Sequence, residues 1–397
     1  MVRPCGRRED HRLAVRYGGI LAVLMLLPLV LSGCADYSEV DDLLVVTGMA
    51  IDAGDRAPVK VTLDIVNPEQ GTSQESRGPS DQRDTVVSAE AEDVERALDH
   101  IQQRLPHRLY LSHNAVVVLQ QNVLRPHLTE ILDFLERNRA MRRSQLWVMT
   151  TIPAGDIWRT SGPDQQARAL QLRELVEQAA DQCAVFRSDQ LHLAKAWLTP
   201  SGTGLMTWVD PLDANTVQVR GLAGVTMDGR VHRFDLANDR GLLWWTGNTH
   251  TVLQEIPDGA IRWVQTGTRV DWVGTSQRPA FRVVWRGTGE VERWMGGRPL
   301  DEKAYRRAER LAQETVERDL RDAWREVVTS GMDVIGLQET VFRQAPQDYR
   351  KLAARPNWWK SATLTFDIRP SLIRSQLTSA APPDVQNRLS KAWSGRG

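Results

Sequence analysis

The chain has 397 residues, 41% of them hydrophobic and 25% charged, with 50 basic and 50 acidic side chains that cancel. That composition is globular and long enough for two or three domains; a zero balance gives no basic excess for nucleic acid. Three cysteines and no CxxC or Cys/His cluster exclude a disulfide framework and a structural zinc site.

The first 33 residues differ from the rest. Arg3, Arg7, Arg8, Arg12 and Arg16 face only Glu9 and Asp10, so removing them leaves 45 basic and 48 acidic residues, a balance of −3. Residues 20–31, ILAVLMLLPLVL, are apolar and lead into Ser32, Gly33 and Cys34. A basic start, a short apolar run and small residues describe a secretory leader. The run is short of the roughly 20 residues that a spanning helix needs, and Pro28 interrupts it. LSGC resembles the bacterial lipobox. That resemblance implies cleavage between Gly33 and Cys34, a diacylglycerol on the Cys34 sulfur and an α-amine open to acylation, for example by palmitate. The boundaries expected are a leader over 1–33, an N-terminal α+β domain over 34–205 and a C-terminal α+β region over 206–397.

In chain order, 43–52 and 58–66 alternate as strands around the turn residues of AGDRA, a hairpin pattern. Residues 69–84 are polar and rich in Gly and Ser, a loop. Helical spacing marks Glu92–Arg104, Arg125–Asn138 and Pro163–Gln182; strands are expected at Asn114–Leu119 and Gln145–Ile152. Pro, Gly and Thr accumulate over 199–216, where the domain boundary is placed. Strands resume on either side of Asp228-Gly229, a type I′ hairpin signal. A short helix over NDRGLLWW follows, then strands at 260–273 and 280–287. A long helix is predicted from Asp301, its N-cap, to Ser330, with Gly331 as the terminating glycine. Its buried stripe is expected to include Leu311, Val316, Leu320 and Trp324. ATLTFDIR, 362–369, alternates and closes a sheet.

No segment demands catalysis. GxSxG, HExxH, P-loop and GxGxxG patterns are absent. His107 and His113 are six apart, and capping or core-edge roles outweigh a metal pair. Asp333 reads as a turn carboxylate. Cys183 reads as an inert thiol. Fourteen Trp invite a carbohydrate platform, with Trp244-Trp245 and Trp358-Trp359 the pairs whose exposure decides it, and core packing the default.

Six segments resemble the Ger(x)C family, the lipoprotein C subunits of spore germinant receptors. EVDDLLVVTGMAID carries Glu39, Asp42, Leu43, Val46, Gly48, Ile51 and Asp52 of the family pattern, with Ala50 where Gly is usual. VTLDIVNP (61–68) is similar to the strand that follows. LYLSHNAVVVL and LDFLERNRAMR match through His113, Phe134, Arg137 and Arg142. RGLAGVTMDGRVHRF…DRGLLWW, one segment, matches with Thr226 in place of Phe and Asp239 near the usual Thr. SGMDVIGLQETVFRQAPQDYRKL matches with Leu337 in place of Gly. The resemblance implies an α+β, multi-domain fold of small, mostly antiparallel or mixed sheets covered by helices. It also implies a non-enzymatic subunit without cofactor or metal, anchored through Cys34 on the outer face of the spore inner membrane. The implied partners are the integral-membrane A and B subunits, in a receptor for small nutrients; whether this subunit touches the nutrient stays open. The alternatives are a solute-binding lipoprotein of a transporter, which would favour two doubly wound lobes, and a cell-wall enzyme, which would need paired carboxylates or a metal.

Overall fold

A computed structural model describes residues 43–66, 84–159, 167–181, 185, 187–213, 215–235, 240–246, 252–295 and 301–373. From Leu44 onward they belong to one compact unit. The leader, residues 69–83 of the loop expected over 69–84, Cys34 and Cys183 lie outside the described residues, and Asp84, the last residue of that loop, begins a strand instead.

The first sheet has nine strands. β1 (Leu43–Ala53), β5 (Val116–Gln120), β6 (Leu146–Thr150) and β7 (Thr203–Pro211) run parallel at its centre. On one side β2 (Val59–Val66) and β3 (Asp84–Ala91) add antiparallel, with β4 (Arg108–Tyr110) also paired to β1; on the other, β8 (Val217–Thr226) and β9 (Val231–Asp235) do the same. The centre explains the unbroken apolar runs there. Val117 and Leu119 enter one core, while Val116 and Val118 enter another on the opposite face, as expected where helices cover both sides of parallel strands. α1 (Val94–Gln102), α2 (Gln121–Arg137) and α5 (Gln190–Trp197) cover the first face; α3 (Ala154–Ile157) and α4 (Arg168–Asp181) cover the second.

The second sheet is β10 (Val252–Ile256), β11 (Gly259–Trp272), β12 (Ala280–Trp294) and β13 (Thr363–Ile373), antiparallel except for the β12–β13 pair. Its inner face carries Ile261, Trp263, Phe281, Val283 and Trp285 against α6 (Arg240–Thr246) and α7 (Glu302–Ser330), with α8 (Leu337–Gln344) and α9 (Pro346–Leu352) completing the cover. Both sheets are mixed, in line with the α+β expectation, though the first is larger than the small sheets anticipated. Sequence position 205/206 falls within β7, and the first sheet continues to Asp235.

The long helix forms as its ends dictate. Asp301 accepts from the Ala304 amide at 2.8 Å, and Gly331 takes the left-handed conformation, φ 73°, that ends a helix. Its buried stripe is mostly small: Ala304, Ala308, Ala312 and Ala323 with Val316, Leu320 and Val327. Leu311 and Trp324, expected inside, are only partly buried. The alanines let α7 lie close to α6, where Gly241 leaves no room for a side chain: a Cβ there would stand 2.6 Å from the Asp319 carbonyl carbon and 2.7 Å from Ala323 Cβ.

The β8–β9 hairpin forms, but not on a type I′ turn. That turn needs two positive φ angles, and of the loop's residues only Gly229 has one, at 75°. The Gly229 amide instead donates to the Thr226 carbonyl at 2.8 Å, while the Asp228 carboxylate accepts from Arg230 Nε at 3.0 Å. Gly229 also sits against α2, where a Cβ would meet the Leu124 carbonyl carbon at 2.6 Å.

Candidate functional site

In a sheet with a parallel centre, ligands enter at the carboxyl ends of the strands. Those ends carry Asp52 on β1, Gln120 on β5, Thr150 and Thr151 at β6 and Asp210 on β7. Each is turned to internal use. Asp52 accepts from the amides of Ala154 and Gly155, the latter at 3.0 Å, so a protein carboxylate occupies the start of α3. Burial raises its pKa, opposed by those two amides. Asp210 receives the hydroxyls of Thr150 (2.8 Å) and Thr151 (2.7 Å), the Thr151 amide (2.9 Å) and Trp208 Nε1 (2.8 Å). Gln120 Oε1 accepts from the Ala53 amide at 3.1 Å.

One strand away, Asp64 on β2 accepts from the Ala169 amide and the Thr47 hydroxyl, each at 3.0 Å. Burial raises its pKa too, and its other oxygen has no partner among the described residues. Gly48 on β1 lies beneath Trp158 and Ala169, whose atoms would stand 2.9 and 2.5 Å from a Cβ. Gly48 and Asp52, which carried the family resemblance, and Asp64, within the matching segment 61–68, thus dock α3 and α4 onto the second face of the first sheet.

Phe134 and Arg137, also from those segments, line a cleft of about 660 Å³ between the start of α1 and the outer side of α2. Its charge comes from Glu92, Asp93, Glu95, Glu130 and Asp133. Three of these are engaged: Asp93 caps α1 through the Arg96 amide (2.8 Å), Glu130 meets His127 Nδ1 (2.9 Å) and Asp133 pairs with Arg137 (2.6 Å). Glu92 and Glu95 carry no local sequence signal of a cleft; only the fold brings the α1 start beside α2. His113 and Arg142 lie elsewhere: His113 is exposed with its ring edge-on to Tyr110, and Arg142 is exposed beyond α2.

The remaining candidates resolve structurally. Trp244, Trp245, Trp358 and Trp359 are all buried, with Trp244 edge-on to Trp285 at 5.7 Å and Phe281 stacked on Trp358 at 6.4 Å. They are core, not a platform. Asp333 is buried and accepts from the amides of Leu337 (2.9 Å) and Gln338 (2.7 Å), capping α8; burial lifts its pKa against those bonds. Among the described residues no group of three or more His, Cys, Asp or Glu side chains could hold a metal ion, and no helix is long and apolar enough to cross a membrane.

Comparison with known proteins gives consistent matches. Residues 36–211 match the model of the spore germination protein N-terminal domain, and residues 225–374 match that of the spore germination B3/GerAC-like C-terminal domain. Spore germination protein KC of Bacillus subtilis (strain 168) is 24% identical over 396 residues, covering 88% of this chain and 93% of that protein. Spore germination protein B3 of the same organism is 25% identical, covering 36% of this chain and 38% of that protein. The crystal structure of the GerBC protein superposes with a TM-score of 0.54 at 15% identity, covering 82% of this chain and 97% of that one, and so shares the fold.

Proposed function

The chain belongs to the GerAC-like family of spore germination proteins, and from that premise we propose that it is the lipid-anchored, non-enzymatic C subunit of a nutrient germinant receptor. The observation that carries the reading is the pair of family matches, in order, across 36–211 and 225–374. They follow directly on the lipobox-like LSGC that ends at Cys34. On this reading Cys34 holds the lipid, and the body stands on the outer face of the spore inner membrane beside integral-membrane A and B subunits.

The geometry supports a non-enzymatic part. Carboxylates placed where a ligand would be held, Asp52 and Asp210, are taken up by backbone amides, hydroxyls and an indole of the chain itself. A solute-binding lipoprotein is the weaker reading, because the relatives named above are germination proteins.

The test is to isolate the protein from spore inner membranes and measure the mass of its N-terminal peptide. The reading expects a peptide beginning at Cys34 with diacylglycerol on sulfur, and two integral-membrane subunits captured with the protein. A peptide that retains residues 1–33, or begins at an unmodified residue, removes the anchor. Capture with a transporter's membrane components instead would favour the solute-binding alternative.

A further inference from the structure

The second sheet has one face against the core and one turned outward. On the outward face alternate residues of each strand come into register: Leu253 with Arg262, Arg262 with Glu290 and Glu290 with Ile373 form one row across all four strands. Most charges there cancel locally. Arg262 pairs with Glu292 (2.9 Å), Arg269 with Asp271 (3.1 Å) and Arg369 with Asp367 (2.6 Å). At the β13 edge Arg369 and Pro370 join Lys303, Arg306 and Arg310 of α7 around a groove of about 780 Å³. There Arg306 is held by Glu302 at 2.7 Å, and Glu309 accepts from the Leu372 amide at 3.1 Å.

What remains is a surplus of cations. Arg282, Arg286, Lys303 and Arg310 are exposed and make no ion pair with a carboxylate among the described residues; the carboxylates without a cation there are Glu290 on the sheet, Asp301, which caps α7, and Glu309, which accepts from the Leu372 amide, so the cations exceed them by one. The field is felt nearby: the Asp367 carboxyl is held below the usual range first by Arg369, then also by the charges of Arg282 and Arg286. Beside the cations the face exposes aliphatic side chains, with Leu253 41%, Val264 49% and Ile373 46% accessible. The aromatic residues of the sheet, which would anchor a protein partner, point into the core instead: Trp263, Phe281 and Trp285 are fully buried.

We propose that this outward face of the second sheet, with the first turns of α7, rests against the anionic phospholipid headgroups of the membrane that carries the anchor. The inference rests on the Cys34 anchor proposed above. Nine positions separate Cys34 from Leu43, where β1 begins, and a fully extended chain of that length reaches about 30 Å. The body is therefore held at the lipid surface. An anionic surface repels the acidic cleft of α1 and α2 and attracts the face with unmatched cations. Lipid plus a basic patch is also the two-signal combination that gives stable attachment.

The test uses the full lipidated chain in vesicles of phosphatidylcholine alone or mixed with phosphatidylglycerol. A fluorophore on Thr288→Cys, in a Cys183→Ser background, reports depth through quenching by nitroxide-labelled lipid. Docking predicts quenching that requires phosphatidylglycerol. The docked-to-free ratio should fall about tenfold or more in Arg286→Glu/Arg310→Glu, given a contribution near one tenfold step per basic residue or slightly less. Unchanged thermal unfolding of that variant excludes misfolding as the cause, and Arg286→Gln/Arg310→Gln serves in its place if the reversal does not fold. Equal quenching in both vesicles, or quenching that survives loss of the charges, overturns the proposal. So does quenching that is absent from vesicles carrying this chain alone and appears only with the integral-membrane subunits present, which would assign the face to an acidic protein surface. The N-terminal peptide mass of the same sample reads the anchor separately, so a failed anchor is not mistaken for an undocked face.

Discussion

Replacing Gly241 by Ala reverses the usual sign of that substitution. In a helix, Gly→Ala normally stabilises by up to about 1 kcal/mol. Gly241 lies in α6 with its Cα against α7. The new methyl would stand 2.6 Å from the Asp319 carbonyl carbon and 2.7 Å from Ala323 Cβ, whereas carbon atoms rest about 3.5–4.0 Å apart. The obstacle is backbone, so α6 must withdraw by about 1 Å, enough to forfeit a quarter to a half of each dispersion contact it makes there. Withdrawal also stretches two hydrogen bonds that tie the helices, Trp244 Nε1 to Asp319 (3.3 Å) and Trp245 Nε1 to the Leu320 carbonyl (3.1 Å). Overpacking costs about 1–3 kcal/mol and each weakened bond up to about 1 kcal/mol. Mid-range values, about 2 kcal/mol for overpacking and about 1 for the two bonds, less a propensity gain of at most about 1 kcal/mol, leave a net loss of about 2–3 kcal/mol. Urea unfolding followed by tryptophan fluorescence should show the midpoint falling by about 1 M or more, taking a slope of about 1–3 kcal/mol per M. Gly202, whose φ is 56° with nothing within 4 Å of a Cβ, is the control: Gly202→Ala should lose only the backbone term, about 1–2 kcal/mol. An unchanged or raised midpoint for Gly241→Ala would refute the close α6–α7 packing.

Leu320→Ala removes a fully buried side chain from the α7 stripe and should destabilise by about 2–5 kcal/mol in the same assay; an unchanged midpoint would place Leu320 outside the core. Burial raises the folded-state pKa of Asp64 above its ordinary value of 3.8. The folded chain therefore holds that proton more tightly, and its contribution, full below the ordinary pKa, is lost as pH rises through the folded one. Asp64→Asn keeps an oxygen for Thr47 and Ala169 and should flatten part of that decline when stability is measured between acid and neutral pH; an identical slope would mean Asp64 does not contribute it. Cys183→Ser should leave nutrient-triggered germination intact, and a dead receptor at normal protein level would assign the thiol a task.

Much of the fold could be read from local pattern. The α7 helix was legible at both ends, because Asp301 and Gly331 are chemical signals that act within one turn. The β1–β2 hairpin and β13 were legible through alternation or continuous burial. Four strands escaped for identifiable reasons. β4 and β10 are short, with three and five residues, and DTVVSAEA and VLQEI carry little contrast. β7, TGLMTWVDP, reads as a connection because of its Gly, Thr and Pro. Yet Gly204 is there because Leu193 and Trp197 of α5 pack down on the strand, with Leu193 Cδ2 2.9 Å from where a Cβ would be. Glycine signals close approach as well as turns, and sequence alone does not separate the two. The site was less legible. Gly48 and Asp52 were recognisable through a family pattern, and Asp64 only as part of a matching segment, but the task of each depends on amides or side chains of α3 and α4 more than a hundred residues away. The acidic cleft joins Glu92 and Glu95 to Glu130 and Asp133 through the packing of α1 beside α2, a tertiary relation without a local trace.

The measurement closest to the central claim is nutrient-triggered germination of spores that lack this chain, complemented by the wild type or by Cys34→Ala at matched protein level. Deletion is expected to abolish the response to at least one nutrient, the wild-type chain to restore it, and Cys34→Ala to restore it poorly because the body is no longer held by lipid beside its membrane partners. Deletion spores that respond to every nutrient as the parent does would contradict the receptor role; full rescue by Cys34→Ala would leave the role standing and contradict the need for the anchor.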